Sequence, residues 1–380
     1  IRKITKVALF VIFFIGFLML PISLHPKIGS GDFRPYWSSS FLLRNGQDFS
    51  DSSNMNFVER TRTNWTEPYT MHAWFAPTGN LILLPYTFFS FPRAVYYWLV
   101  TNIFIIFFSA ILLWHDARTH VWIPLCAFIG FSATLLSLYM GQVNTLVVLG
   151  LALFIFFDAK KRDFLAGACL VFVTTKPHLV ILALPLITLN AIWHKRFKLL
   201  SGFASVLVAC ALILWRLYPN WLNSFWRLIT SGMNGFREAP TIPGLLVHAG
   251  YGFGEWLWVA ALMTGVIGWW KFKDKIKQRN LLDVAILAGM IVSPIGWSYD
   301  QIVLFVPLCH VLEWMANGAL SKRYIFIITF TLIVTNLMSY YERTLSLSEA
   351  WFFWIPVITT IVYLFAWTRM QVTTKDIPKI

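Results

Sequence analysis

The chain has 380 residues, of which 58% are apolar, 17% aromatic and only 13% charged, with a mean hydropathy of +0.65. Soluble domains carry about 25% charged residues, so this balance excludes an ordinary cytosolic enzyme, a disordered chain and a nucleic-acid-binding domain. The net charge of +14 does not signal an anionic polymer partner, because Lys and Arg cluster briefly between apolar runs, as membrane topology signals do.

In chain order the apolar segments are 7–24, 93–114, 121–138, 142–157, 164–175, 179–193, 199–217, 256–270, 281–293, 301–316, 324–340 and 351–368. Many approach the ~20 residues that cross a bilayer. They predict an all-α polytopic membrane protein of about 12 transmembrane helices in one domain, 1–380, without repeat or linker. Arg2, Lys3 and Lys6 precede Val7–Leu20 as in a signal peptide, but no small-residue cleavage site follows, so this stretch reads as the first span. Cys126, Cys169, Cys210 and Cys309 all lie in apolar runs and read as packing residues.

The first outer loop runs from about 25 to 92. Phe33, Tyr36, Trp37, Phe41, Leu42 and Leu43 recur near helical spacing, which predicts an amphipathic helix over 33–44 lying on the membrane surface, ended by Gly46. A polar, aromatic-bearing stretch follows at 54–67. Asn80–Ser90 is apolar but half a span long and contains Pro85, so it reads as a third interfacial element.

Charge sets the orientation. If Asn80–Ser90 does not cross, the clusters Lys160-Lys161-Arg162, Lys195-Arg196-Lys198 and Lys271–Arg279 all fall on the side of the basic N-terminus. That side then holds 20 Lys/Arg against 7 Asp/Glu, and the other side 11 against 10. The positive-inside rule makes the first side cytoplasmic. The expectation is a cell-membrane (inner or plasma) protein with both termini cytoplasmic and a second outer loop at 218–255. The inner turns hold little beyond their basic clusters.

The remaining polar residues gather on the outer side: Asp32, Gln142 and Asn144, Lys176-Pro177-His178, Arg227 and Arg237, and Trp297-Ser298-Tyr299-Asp300. Phe164–Lys176 is 13 residues, roughly 20 Å, short of the ~30 Å core. Lys176 and His178 therefore sit near lipid-phosphate depth, where an ionisable group either has a functional partner or snorkels to the headgroups. Pro177 breaks the helix there and frees amides for an anion. Asp32 sits among Gly29, Gly31 and Pro35 with Arg34 beside it as a possible ion-pair partner, and reads either as a catalytic carboxylate or as a solvated one. Gln142 and Asn144 suit interhelical hydrogen bonds as well as ligand contact. Tyr299 and Asp300 place an acid at the mouth of a span. Asp48 and Asp51 read as turn formers. Trp37, Trp65, Trp74 and Trp297 are placed to stack on a sugar or a lipid chain.

Five blocks carry a resemblance: GDFRPYWSSSFLLRNGQDF, FAPTGNLILLPYTFF, MGQVNTLVVLGLALF, LAGACLVFVTTKPHLVILALPL and SPIGWSYDQIVLFVPL, in this order over residues 31–308. Together they resemble family 87 glycosyltransferases of the GT-C superfamily. The resemblance implies a GT-C-type fold and a mannosyltransferase-like enzyme that uses a polyprenyl-phosphate sugar, usually mannose. It implies a catalytic base in the first outer loop, at Asp32, and Lys176 near the donor phosphate. Many members carry His where this chain has Tyr299-Asp300.

Such a donor is already activated at its anomeric carbon, so a single inverting displacement needs a base and positive charge on the departing phosphate. The expected roles are Asp32 as base, with Lys176, His178, Arg237 and Arg34 on the phosphate. Tyr36, Trp37, Gln142, Asn144, Trp297, Tyr299 and Asp300 would contact sugar or acceptor. No cofactor is expected, and a metal is not demanded. Expected partners are the polyprenyl-phosphate sugar, a glycolipid or glycan acceptor of the cell envelope and membrane lipids, with no nucleic acid. The alternatives are a transporter or flippase for lipid-linked sugars, an oligosaccharide–lipid ligase and an assembly scaffold.

Overall fold

The computed structural model describes residues 28–117, 120–232 and 238–375. The expected first span, 7–24, and Arg237 lie outside them. Every regular element among the described residues is helical. A cap comes first: α1 (Phe33–Arg44), α2 (Ser52–Thr63) and α3 (Pro77–Leu83), the last running on as a 3₁₀ turn over Leu84–Phe88. The bundle begins with α4 (Phe91–Leu113), α5 (Trp122–Gly130), α6 (Ser132–Met140), α7 (Asn144–Ala159) and α8 (Asp163–Cys169). Two 3₁₀ turns, Leu170–Thr175 and Pro177–Val180, flank Lys176 ahead of α9 (Ala183–Trp193) and α10 (Phe197–Leu217). Then come α11 (Trp221–Gly232), α12 (Ile242–His248), α13 (Leu257–Phe272) and α14 (Gln278–Val292). A 3₁₀ turn over Ser298–Leu304 leads into α15 (Phe305–Ala316), followed by α16 (Lys322–Thr344), a turn at Glu349–Phe353 and α17 (Trp354–Lys375).

Among the described residues, four helical stretches are long and apolar enough to cross a membrane alone: α4, α10, α16 and Glu349–Gln371. The pair α5–α6, bent by 65°, makes a fifth if counted as one span. The expected count of about twelve is thus not reached. The other apolar segments form helices of at most 16 residues, and 16 residues rise only about 24 Å. Along α10 and α16 large apolar side chains such as Leu212, Phe326, Phe330 and Leu337 are exposed. Rows of this kind on helices of 21 and 23 residues call for lipid, not water, around them.

The expected helix over 33–44 is present with those bounds, and Gly46 (φ +66°) follows its end. Its apolar face packs on protein and not on lipid, however. Phe33, Tyr36, Trp37, Ser38, Ser39 and Leu43 are all buried, because α2, α3 and the 84–88 turn enclose the helix within the cap. Phe33 stacks on Trp98 and Phe91 of α4, with centroids 5.8 and 6.2 Å apart. Asn80 is buried and accepts from Ser40 Oγ at 3.0 Å, so Asn80–Ser90 belongs to the cap. Asp51 caps α2 by accepting from the Asn54 amide at 2.8 Å.

One expectation about the far ends of the bundle helices is corrected. Beside the basic clusters there lies a buried polar group: Asp283, fully enclosed, takes hydrogen bonds from Arg279 Nε at 3.2 Å and the Tyr363 hydroxyl at 3.3 Å, and pairs with His310.

Candidate active site

Asp32 occupies the N-cap position of α1, where an aspartate usually accepts a first-turn amide. Its side chain makes no such bond, which leaves the carboxylate for other work. The loop that carries it is fastened to the α6–α7 turn, with Gly29 N donating to Tyr139 O at 2.7 Å and Asp32 N to Met140 O at 2.8 Å. This approach requires Gly141, whose φ is +72° and where a Cβ would lie 2.1 Å from the Gly29 oxygen. Gly141→Ala is expected to lower stability by roughly 1–3 kcal/mol and to cut activity, as thermal melting in detergent and a turnover assay would show.

From Asp32 a chain of hydrogen bonds crosses the bundle. Gln142 Nε2 donates to Asp32 Oδ2. Gln142 Oε1 accepts from the Tyr36 hydroxyl at 3.0 Å and from Lys176 Nζ at 2.8 Å. Lys176 Nζ also donates to Asp300 Oδ1 at 2.8 Å. Lys176 and Asp300 are 1% and 0% exposed, so this is a fully buried ion pair. The other Asp300 oxygen accepts from the Trp297 amide at 3.2 Å and faces His178 Nε2 at 3.6 Å. Asn144 Nδ2 holds the Tyr299 carbonyl at 2.8 Å. The Lys176 ammonium lies 5.0 Å from the Tyr299 ring centroid and 6.0 Å from that of Trp297, within cation–π range.

The two carboxylates, both in turns outside the membrane-length helices, are poised in opposite directions. Burial raises Asp32 above the ordinary aspartate range, and the Lys176 charge and the Gln142 bond offset only part of this. Burial acts on Asp300 too, but Lys176 and His178 outweigh it and hold that carboxyl well below the usual range. Environments that separate two acids in this way commonly assign them different roles.

Beside this chain opens a cavity of about 190 Å³, mostly apolar, whose wall includes Trp74, Phe75, Pro177, His178, Phe225 and Trp297. His178 belongs to both the cavity and the polar chain. Among the described residues no three His, Cys, Asp or Glu side chains come together as a metal-ligand set.

The sequence model of glycosyltransferase family 87 matches residues 74–294, more than half of the chain. The chain belongs to glycosyltransferase family 87. No curated protein and no solved structure matches it. The family 87 stretch contains Gln142, Asn144, Lys176 and His178. Asp32 and Asp300 lie beyond it on either side, and the fold joins them to it.

Not every expected residue reaches the site. Arg34 does not pair with Asp32. Its Nη1 bonds the Thr63 carbonyl and hydroxyl, and the guanidinium lies between Trp65 and Phe91, 4.8 and 4.9 Å from their ring centroids. Trp37 is buried in the cap, with Nε1 donating to Tyr86 O at 3.1 Å and its ring stacked on Phe41. Neither side chain faces the cavity. In their place stand residues that the sequence did not single out. Phe75 packs on the Tyr36 ring at 4.7 Å, and Ser137 Oγ donates to the Tyr299 carbonyl at 3.1 Å. Glu349 accepts from the Ser298 amide at 2.6 Å while Arg343 donates to the Ser298 hydroxyl at 2.9 Å. The turn that presents Tyr299 and Asp300 is thereby braced from both sides.

Proposed function

We propose that this family 87 glycosyltransferase moves a sugar, mannose in the first instance, from a polyprenyl-phosphate donor to a hydroxyl of an envelope glycolipid or glycan at the outer membrane face. The observation that carries the reading is the buried Asp32–Gln142–Lys176–Asp300 chain next to an apolar cavity. A donor of this kind joins an anionic phosphate to a long apolar chain, and the site offers a counterpart to each part. His178 and the Lys176 charge face the phosphate, Trp74, Phe225 and Trp297 receive the first isoprene units, and Trp297 or Tyr299 stacks on the sugar.

Asp32 acts as the base. It takes the proton of the acceptor hydroxyl as that oxygen attacks the anomeric carbon. The bond to the phosphate oxygen breaks in the same step, and the leaving phosphate keeps the electron pair. A raised carboxylate is the better proton acceptor. Asp300 stays ionised throughout, pairs with Lys176 and fixes the bridge that orients Asp32. Polyprenyl phosphate and an inverted glycoside are the products.

The product's anomeric configuration, read by NMR after transfer from a configurationally pure donor, tests the displacement. Inversion with one polyprenyl phosphate released per glycoside formed is the expected result, and retention would contradict it. The pH profile of kcat/KM gives a second check. Asp32 must be ionised to act and its value is raised above the ordinary 3.8, so activity falls as pH drops through a point above 3.8. An acid limb at or below that value would remove Asp32 as the base.

A further inference from the structure

A second cavity, of about 320 Å³ and lined by several charged residues, lies at the opposite end of the helices that build the site. Asn144 opens α7 beside Asp300, whereas the cavity is lined by Asp158 and Ala159 at that helix's other end. Likewise α14 leads towards the Trp297–Asp300 turn from its C-terminus, and its first turn forms a cavity wall. Sixteen helical residues separate the two places by about 24 Å, so this is a different site.

We propose that this cavity takes a membrane lipid whose phosphodiester headgroup carries a primary amine. Depth is the first argument. The membrane-length helix α4 ends at Leu113, and the cavity begins there, at the level where a bilayer places its headgroups. Its apolar lining residues (Leu113, Phe154, Ile155, Leu282) are buried, whereas its charged ones are partly or fully exposed. An amphiphile matches that division, and a soluble metabolite does not.

Charge segregation is the second argument. The acids Asp158 and Asp283 are already compensated, the first by Arg196 at 2.5 Å and the second by Arg279, His310 and Tyr363. Among the other lining charges, Lys277 and Glu313 sit on different helices, with Arg279 acting on Glu313 through space. Lys277 stands at the N-cap of α14, a 15-residue helix whose start has no side-chain cap, and offers an ammonium beside first-turn amides, a setting that suits a phosphate. Glu313 on α15 and Asp116 after α4 face the cavity from other elements. His115 lines it too, 3.2 Å from Asp116. Binding His310 Nδ1 to Asp283 fixes that ring in the wall and leaves Nε2 for the ligand. A phosphate beside Lys277 and an ammonium beside Glu313 would give each of these two groups a partner at once. A quaternary amine lacks the N–H donors, and a glycerol headgroup lacks the positive charge.

Native mass spectrometry of the purified full chain tests this, with titration by phosphatidylethanolamine, phosphatidylcholine and phosphatidylglycerol of identical acyl chains, and by soluble phosphoethanolamine. The ethanolamine lipid is expected to be retained roughly tenfold more strongly than the other two, the worth of one charge-assisted hydrogen bond. Glu313→Gln and Lys277→Gln should each remove most of that preference. Glu313→Asp, which keeps the charge, and Lys322→Gln, a control for surface charge, should preserve it. Equal retention of the three lipids, or an unchanged preference in both Gln variants, would overturn the proposal. Displacement of the lipid by soluble phosphoethanolamine would overturn the assignment to a lipid. The readout is binding, so it stands apart from the transfer chemistry at Asp32.

Discussion

Replacing Asp32 with Asn is expected to lower the transfer rate by about 10²–10⁴-fold while donor affinity changes little. Asn keeps a side-chain oxygen that can accept from Gln142 Nε2, so the bridge to Lys176 and the Tyr36 bond to Gln142 stay in place. What is lost is the ability to take a proton. The ionised Asp32 is held against its burial, so the neutral variant should fold at least as stably as the wild type. A higher melting temperature together with collapsed turnover is the signature of a group kept for chemistry at a cost in stability. Turnover within a few-fold of wild type in a well-folded Asp32→Asn protein would move the base elsewhere, to Asp300 first.

The second large effect concerns the buried pair. Lys176→Met leaves the Asp300 carboxyl fully enclosed with its 2.8 Å partner gone. Breaking a buried pair from one side costs about 3–5 kcal/mol, so this variant should melt far below wild type or fail to accumulate. Asp300→Leu should do the same from the other side. The double variant Lys176→Met/Asp300→Leu buries no unpaired charge and should regain most of the lost stability, with a coupling well above 1 kcal/mol in a double-mutant cycle. It should remain inactive, because the bridge and the positive charge are both absent. Additive losses would mean that the two groups do not act as a pair. The pair also sets the acid behaviour. Asp300 is depressed in the folded protein, so its stabilising contribution is complete above its ordinary 3.8 and is lost as pH falls below that. Asp32 is raised, has the opposite sign, and its burial is relieved on protonation.

Much of this arrangement can be read in the sequence, though unevenly. Periodicity placed α1 at residues 33–44 correctly, since a helix is a local pattern. That the helix is enclosed depends on α2 and α3 folding over it, which no local pattern records. Asp32, Gln142, Lys176 and Asp300 each stand out as polar residues in apolar surroundings. Their linkage does not, because Gln142 reaches across 110 residues to Asp32 and Lys176 across 124 to Asp300. From the sequence, Arg34 is expected at the site as a neighbour of Asp32, and Trp37 as an aromatic able to stack on a sugar or lipid chain. A helix advances 100° per residue, so the residue four on, Tyr36, shares the face of Asp32, while those two and five on turn away. The count of about twelve spans is left unconfirmed for a related reason. Apolar runs reveal where lipid or core surrounds the chain, and Pro177 and the 3₁₀ turns cut those runs into pieces too short to cross singly. Glu349 and Arg343 act on Ser298 through the turn they brace, and nothing in their own surroundings marks them.

The most direct test of the account incubates the purified protein in detergent with a short-chain polyprenyl-phosphate mannose and a membrane glycolipid extract. Loss of the lipid-linked sugar and gain of one hexose by an acceptor are followed by mass spectrometry. Donor consumption matched by a glycosylated product is the predicted result. A wild-type protein that binds the donor but leaves it intact with every acceptor, hydroxyl-bearing lipids and glycans alike, would contradict the transferase chemistry assigned to Asp32 and Lys176.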